Sequence, residues 1–290
     1  MKFSAMIPVA LVAALAMSGP LSASGGQHLS RAGRAPAAEA APERHAPAGH
    51  AAAAQHASPV QHAAGLHWSY DGQTGPDHWG ELSSDFRLCK TGRMQSPVDL
   101  GGAEIPGKFS VKATYRPGPL TVLNNGHTVQ ANIAEGSTLS SGISRYKLLQ
   151  VHFHTPSEET IYGIHYPMVA HFVHIDYAGN YAVLGVLFEE GAHNPELDKL
   201  VKAAPPHERG PEVVSGVTFD PAKLLPANLS VYRYEGSLTT PPCTEGVHWH
   251  VATRPVPASA AQIAAIHAIV GDNARPIQPL HGRLLVAGAE

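Results

Sequence analysis

Long hydrophobic runs are missing from this 290-residue chain beyond its first 17 residues. That excludes a bundle of membrane-spanning helices, each of which needs about 20 consecutive apolar residues. Cysteine is scarce as well. Cys89 and Cys243 stand far apart, with no CxxC pair. In a cytosolic protein they would be two unrelated thiols; in an exported one an even pair points to a single long-range disulfide. Charge is low at 15%, with a formal net charge of -3, so nothing demands a nucleic acid or an anionic membrane as partner. No HExxH and no serine-nucleophile signature is present, which speaks against the common zinc and serine hydrolases. Helical periodicity is rare, and no internal repeat is visible.

What the chain does have is turns and histidine. Gly 28 and Pro 25 punctuate a composition that is 43% hydrophobic, enough for a sizeable core. Histidine reaches 19 residues, more than packing alone calls for. It is the commonest metal ligand and the side chain that titrates nearest neutral pH, so its positions decide its meaning.

Met1-Lys2 precedes an apolar run from Ile7 to Met17, followed by small residues through Ser22-Ala23-Ser24. The run is too short to span a bilayer and reads as a signal peptide over residues 1–24. The mature chain is then expected in the periplasm or secreted, with no stable membrane insertion after cleavage. Residues 25–65 are dominated by Ala, Pro, Gly and His and hold too little apolar surface to offset chain entropy, so they read as a flexible linker. It carries His28, His45, His50, His56 and His62, which admit two readings: a tail that gathers metal, or a solvated tether. The tether is preferred, because composition is the only warrant for the tail.

From residue 66 to 290 the texture changes to one β-rich domain. Short apolar or alternating runs read as strands at Leu120 to Leu123, Thr128 to Ile133, Tyr146 to Phe153, Val169 to Ile175, Tyr181 to Phe188 and Val247 to Thr253. Helices are predicted over Asn194 to Val201 and over Ser259 to Val270, the second opened by a capping serine.

The most informative stretch runs from Leu148 to His154. Alternate side chains of a strand share a face, so Gln150, His152 and His154 point one way while Leu149, Val151 and Phe153 point the other. Two imidazoles at i and i+2 can converge on one ion. Catalytic zinc sites take three protein ligands and keep a fourth position open. His171 supplies the third if its strand lies beside the first, with Val169, His171, Val173 and Ile175 on one face. His165 and His174 read instead as satisfied surface or core residues.

Several longer motifs settle the reading. Gly236-Ser237-Leu238-Thr239-Thr240-Pro241-Pro242-Cys243, Arg93-Met94-Gln95-Ser96-Pro97-Val98-Asp99, Asn124-Asn125-Gly126-His127 and Gln150-Val151-His152-Phe153-His154 together resemble the alpha carbonic anhydrases, from about His67-Trp68-Ser69-Tyr70 to Asn273-Ala274-Arg275-Pro276. The resemblance implies a mainly β, single-domain fold: a central, largely antiparallel twisted sheet of about ten strands with a few short peripheral helices. It implies reversible hydration of carbon dioxide to bicarbonate and a proton, by zinc-hydroxide attack with histidine proton shuttling. Zn2+ would be held by His152, His154 and His171. Thr239 would accept a hydrogen bond from the nucleophile and Glu158 would orient its hydroxyl, while His127 would shuttle protons. Tyr70, Asn125 and Gln130 would hold the water chain. Val173, Val183, Leu238, Thr240, Val247 and Trp249 would line the substrate pocket, and Cys89 would pair with Cys243. The oligomeric state, monomer or dimer, stays open.

Two positions depart from the family. Where a glutamate usually precedes the third histidine by two residues, this chain has Val169; where Ser-Glu-His-Thr is usual, it has Ser157-Glu158-Glu159-Thr160. An exchange is expected in which Glu159, with Tyr234 nearby, supplies the carboxylate that supports His171, as Gln150 supports its neighbour. The alternatives are two independent drifts and a weaker zinc site, or a non-catalytic module that only binds zinc.

For the linker the expected outcome is plain. A chain beginning at Leu66 should load zinc from dilute metal as fully as the whole chain does, measured by metal titration; reduced loading would instead make the histidine tail a metal collector.

Overall fold

The computed structural model describes residues 67–103, 105–107 and 111–288. The expected signal peptide and linker lie outside the described residues. In chain order the strands are β1 (Ile105–Gly107), β2 (Val111–Thr114), β3 (Gly118–Asn124), β4 (Val129–Asn132), β5 (Thr138–Ser141), β6 (Ser144–His154), β7 (Thr160–Ile161) and β8 (Ile164–His165). They continue with β9 (Met168–Ile175), β10 (Tyr181–Glu190), β11 (Arg209–Phe219), β12 (Val231–Ser237), β13 (Glu245–Ala252), β14 (Val256–Ala258) and β15 (Val286–Gly288). The α-helices are α1 (Trp79–Leu82), α2 (Leu88–Thr91), α3 (Pro195–Ala203) and α4 (Ala260–Val270).

Ten strands follow one another as β1-β15-β12-β13-β10-β9-β6-β4-β3-β11, and β2, β5 and β14 join beside them to make a 13-stranded sheet. The expected ten are therefore the backbone of a larger sheet. Pairing is antiparallel except for β1 with β15 and β10 with both β13 and β14, which makes the sheet mixed. The two predicted helices form, the second with its expected capping serine. Asn194 accepts from Glu196 and Leu197 N–H at the start of α3, and Ser259 with Gln262 closes a capping box on α4.

The central strands β10, β9 and β6 are covered on both faces, so β9 (Met-Val-Ala-His-Phe-Val-His) is buried nearly end to end. One face carries the larger core, including Leu148, Val151, Phe153, Phe172, Leu184 and Phe188 under α3 and α4. The other carries a smaller cluster built on Val169, Val173, Val183, Tyr234, Val247 and Trp249. Each large apolar side chain so buried contributes about 1.5–3 kcal/mol.

A β-bulge in β6 sorts its residues between these faces. Leu148 pairs with His174, but Gln150 pairs with Val173, so Leu149 is the extra residue. Tyr146 and Leu148 thus belong to the larger core, whereas Gln150, His152 and His154 turn to the opposite face. The expectation that Leu149 would pack with Val151 and Phe153 fails for this reason: strict alternation does not survive an inserted residue, and Leu148 takes that place.

His174 and His250 are buried in the larger face and bonded there. The His174 Nδ1–H donates to Ala182 O (3.2 Å), so the Tyr115 hydroxyl donates to Nε2 (2.8 Å). His250 Nε2 meets Ser141 Oγ at 2.9 Å. Burial pushes the imidazole of His174 down to about 3 and that of His250 down to about 4. Both stay neutral in the fold while the unfolded chain takes protons below about pH 6.5, so stability is full above that pH and falls as pH drops. Each contributes up to about 1.4 kcal/mol per pH unit, down to about pH 4 for His250 and pH 3 for His174. Denaturant unfolding of His174→Gln and His250→Gln between pH 4 and 7 should show shallower acid lability than the unsubstituted chain. Equal slopes would contradict the account.

Candidate metal centre

His152 and His171 face each other across the β6–β9 pair, and His154 sits opposite Val169. The register therefore puts three imidazoles on one sheet face, where one ligand nitrogen from each lies within 4.8 Å of the other two. Among the described residues this is the one group able to share a metal ion. Ring centroids are 4.8 to 5.3 Å apart.

The outer nitrogens assign the tautomers. His152 Nδ1–H donates to Gln150 Oε1 at 2.9 Å, and His154 Nδ1–H donates to the Asn273 carbonyl at 2.7 Å. Each leaves a bare Nε2 facing inward, and that of His154 is fully buried without a partner. His171 is turned the other way, with Nε2 3.4 Å from the Glu159 carboxylate and Nδ1 inward. Burial holds all three imidazoles well below their ordinary pKa, His154 at about 4, so they are neutral and their lone pairs are available.

Two carboxylates back the histidines. Glu158 Oε1 accepts the Arg275 N–H at 2.9 Å, and its other oxygen lies 3.6 Å from His154 Nε2 and 3.8 Å from His171 Nδ1. Burial first, then the neighbouring Glu159 charge, raises the Glu158 carboxyl; Thr239, hydrogen-bonding to it, pulls it back down. Glu159 is raised chiefly by burial. The Tyr234 hydroxyl, also buried and within electrostatic range of Glu159, finds no hydrogen-bond partner in good geometry.

Val173, Val183, Val247 and Trp249, with Leu238 at their edge, form one apolar cluster continuous with the histidine face. Thr239 and Thr240 lie in the turn that leaves β12, closed by Leu238 N–H to Thr244 O and Cys243 N–H to Thr240 O. Gly236 is required there, since a Cβ would run into Ser96 Oγ and the Trp249 ring. Ser96 and Ser237 bind each other reciprocally at 2.9 and 3.1 Å, tying this strand to the chain before Pro97.

The expected water-chain residues are more dispersed. The His127 ring stacks on Trp68, with centroids 3.7 Å apart. Asn125 uses its side-chain oxygen to cap the N–H groups of His127 and Thr128, and Gln130 donates to Asn132 at 2.6 Å. Tyr70 packs edge-on against Trp68 and Trp79.

Sequence reasoning missed Asn273 and Arg275. Asn273 holds His154 through its carbonyl, and its side chain binds Thr155 N–H and the carbonyls of His127 and Phe153. Arg275, 2% exposed, donates to Gln95, to the Ser96 and Cys89 carbonyls and, through its backbone, to Glu158. Both stood in the quoted Asn273-Ala274-Arg275-Pro276 run, and a buried polar pair so placed was the available signal.

Comparison with known proteins agrees with this geometry. A family profile described as eukaryotic-type carbonic anhydrase matches residues 74–288. The chain is 42% identical over 223 residues to a carbonic anhydrase of Pectobacterium atrosepticum, spanning 76% of this chain and 91% of that one. It is 44% identical over 223 residues to one of Neisseria gonorrhoeae, spanning 76% and 87%. The alpha-carbonic anhydrase of Thermovibrio ammonificans, solved with the inhibitor sulfanilamide, superposes with a TM-score of 0.69 at 43% identity, covering 77% of this chain and 99% of its own. Dioscorin, solved with ascorbate, gives a TM-score of 0.70 at 30% identity, covering 76% and 97%.

Cys89 and Cys243 are joined, 154 residues apart in sequence. The bond anchors the Thr239 turn to α2, beside the Arg275 contacts. Replacing both cysteines by serine should lower the unfolding free energy by about 2–5 kcal/mol. An unchanged denaturant midpoint would show that the bond adds no stability.

Proposed function

The chain belongs to the eukaryotic-type (alpha) carbonic anhydrase family, and from that premise we propose that it hydrates carbon dioxide reversibly to bicarbonate and a proton at a zinc ion held by His152, His154 and His171. The observation that carries the proposal is the meeting of three neutral imidazoles on one sheet face, His154 and His171 buried and His152 half-buried, with their outer nitrogens turned to acceptors. The donor set fits the metal: three imidazoles are a catalytic zinc complement, and the orphaned His154 Nε2 is a lone pair in want of a cation. Zinc, when bound, supplies Lewis acidity that brings the pKa of water towards neutrality, behaviour for which carbonic anhydrase is the standard example.

The chain's own groups do the rest. Glu158, locked by the Arg275 N–H, accepts a hydrogen bond from the Thr239 hydroxyl. The Thr239 oxygen is then left only as an acceptor, so it orients the nucleophilic oxygen and aims its free lone pair at the substrate. Carbon dioxide offers no strong hydrogen-bond handle, and the apolar wall of Val173, Val183, Leu238, Val247 and Trp249 suits it. Thr240 would border the same pocket. His127 would carry the product proton outward, because an imidazole gains and loses protons near neutral pH, and Tyr70, Asn125 and Gln130 would steady the intervening water. The N-terminal signal and the disulfide support export, with the periplasm as the working compartment.

A second reading, a weakly active or non-catalytic zinc module, draws on one observation: the His171 contact to Glu159 is long, and Val169 offers no carboxylate. Zinc content measured alongside carbon dioxide hydration, with a chelated control, separates the two. His154→Ala should lose both metal and activity. Thr239→Ala should keep its zinc while hydration falls on the order of 10²-fold, about 2.7 kcal/mol of barrier. His127→Ala should lower kcat in weak buffer and leave kcat/KM intact, with added imidazole restoring turnover. Full zinc loading with no hydration in the unsubstituted chain would favour the second reading.

A further inference from the structure

We propose that Glu159 is the positioning residue for His171, a carboxylate that sets how tightly the three-histidine site holds its metal; this rests on the zinc reading above. Each ligand imidazole needs an acceptor at its outer nitrogen to fix its tautomer and rotation. Two of them have neutral ones, the Gln150 side-chain amide and the Asn273 backbone carbonyl. The third differs. His171 Nε2 lies 3.4 Å from both Glu159 oxygens, and no nearer acceptor is found among the described residues. Its own strand cannot help, because the preceding residue on that face is Val169, buried and apolar. Its partner across β10 is Gly185, which has no side chain. On its third side the ring meets Trp249 edge-on at 4.9 Å.

The backbone around Glu159 is pinned so that its carboxylate faces inward. Ser157 Oγ donates to Glu159 O at 2.6 Å and accepts the Tyr166 N–H at 2.9 Å. Thr160, the next residue, donates to Asp99 at 2.8 Å and opens the β7–β8 hairpin. Fixed in this way, the Glu159 side chain is fully buried, and its Oε1 has no hydrogen bond. A buried carboxylate oxygen without a hydrogen bond is costly unless a donor lies near, and the His171 Nε2–H points at this one. Val169 and Glu159 thus read as one exchange: the carboxylate reaches His171 from the turn after β6 instead of from β9.

The test is zinc affinity by chelator competition on the full chain, read with the His171 Nε2–H resonance in 15N-histidine-labelled, zinc-loaded protein. Glu159→Gln keeps the shape and an acceptor oxygen and removes the charge. The expected result is a 10- to 100-fold weaker zinc dissociation constant and an upfield shift of that one ring proton. Glu159→Asp, which draws the carboxylate back by one methylene, should fall between and covers the case in which the glutamine variant does not fold. Unchanged affinity together with an unmoved resonance overturns the assignment. An unsubstituted chain that retains no zinc overturns the zinc reading itself, a result distinguishable from failure of the Glu159 role alone.

Discussion

The inserted residue in β6 is the constraint on which the site depends. A strand that alternated without interruption would send Tyr146, Leu148, Gln150, His152 and His154 to one side, mixing large apolar groups with the histidines. The bulge at Leu149 lets one strand serve two environments: its first half feeds the helix-covered core, and its second half presents polar groups to the other face. His171 and Val173 on β9 already occupy that second face, so the switch brings six ring nitrogens into a small space with no net charge. Neutrality matters here. Three protonated imidazoles at these separations would repel one another strongly, and burial forbids that state before any ligand binds.

Around this neutral centre the chain places charge sparingly and pins what it places. Glu158, Glu159 and Arg275 are all essentially buried, yet Arg275 spends its donors on carbonyls and on Gln95 and gives Glu158 only its backbone N–H. The carboxylates are therefore not neutralised by a direct ion pair. They stay available to a cation and to Thr239. A direct salt bridge at the same place would blunt both interactions, since the opposite charge would offset the carboxylate's field.

Much of this was legible from residues alone, and the failures have physical causes. The i, i+2 histidines, the third ligand strand and the cap at Ser259 are local signals, carried by side-chain periodicity and turn chemistry. The bulge was not legible, because an inserted residue changes no composition and shows only in the pairing of two strands. β11 was invisible for another reason: it is a mostly exposed edge strand, Arg-Gly-Pro-Glu-Val-Val-Ser-Gly-Val-Thr-Phe, whose apolar alternation is confined to Val217-Thr218-Phe219 at its end. Asn273 and Arg275 act on partners over 100 residues away, and such hydrogen bonds leave no spacing to read.

The same distinction explains why the Gly236–Cys243 stretch is so recognisable in sequence. Gly236, Ser237, Thr239 and Cys243 each answer a contact made elsewhere. Gly236 leaves room for Ser96 and Trp249, Ser237 exchanges hydrogen bonds with Ser96, and the Trp249 indole N–H returns to the Ser237 carbonyl at 2.9 Å. Cys243 then binds the turn to Cys89, whose carbonyl accepts from Arg275. Since Arg275 also holds Glu158, the position of the Thr239 hydroxyl is fixed from both ends, by its own turn and by the carboxylate it addresses. A substitution in any of these links would move Thr239 relative to Glu158 without touching a metal ligand. That is the physical reason the motif must be kept whole while a supporting group such as the His171 acceptor can change its place in the chain.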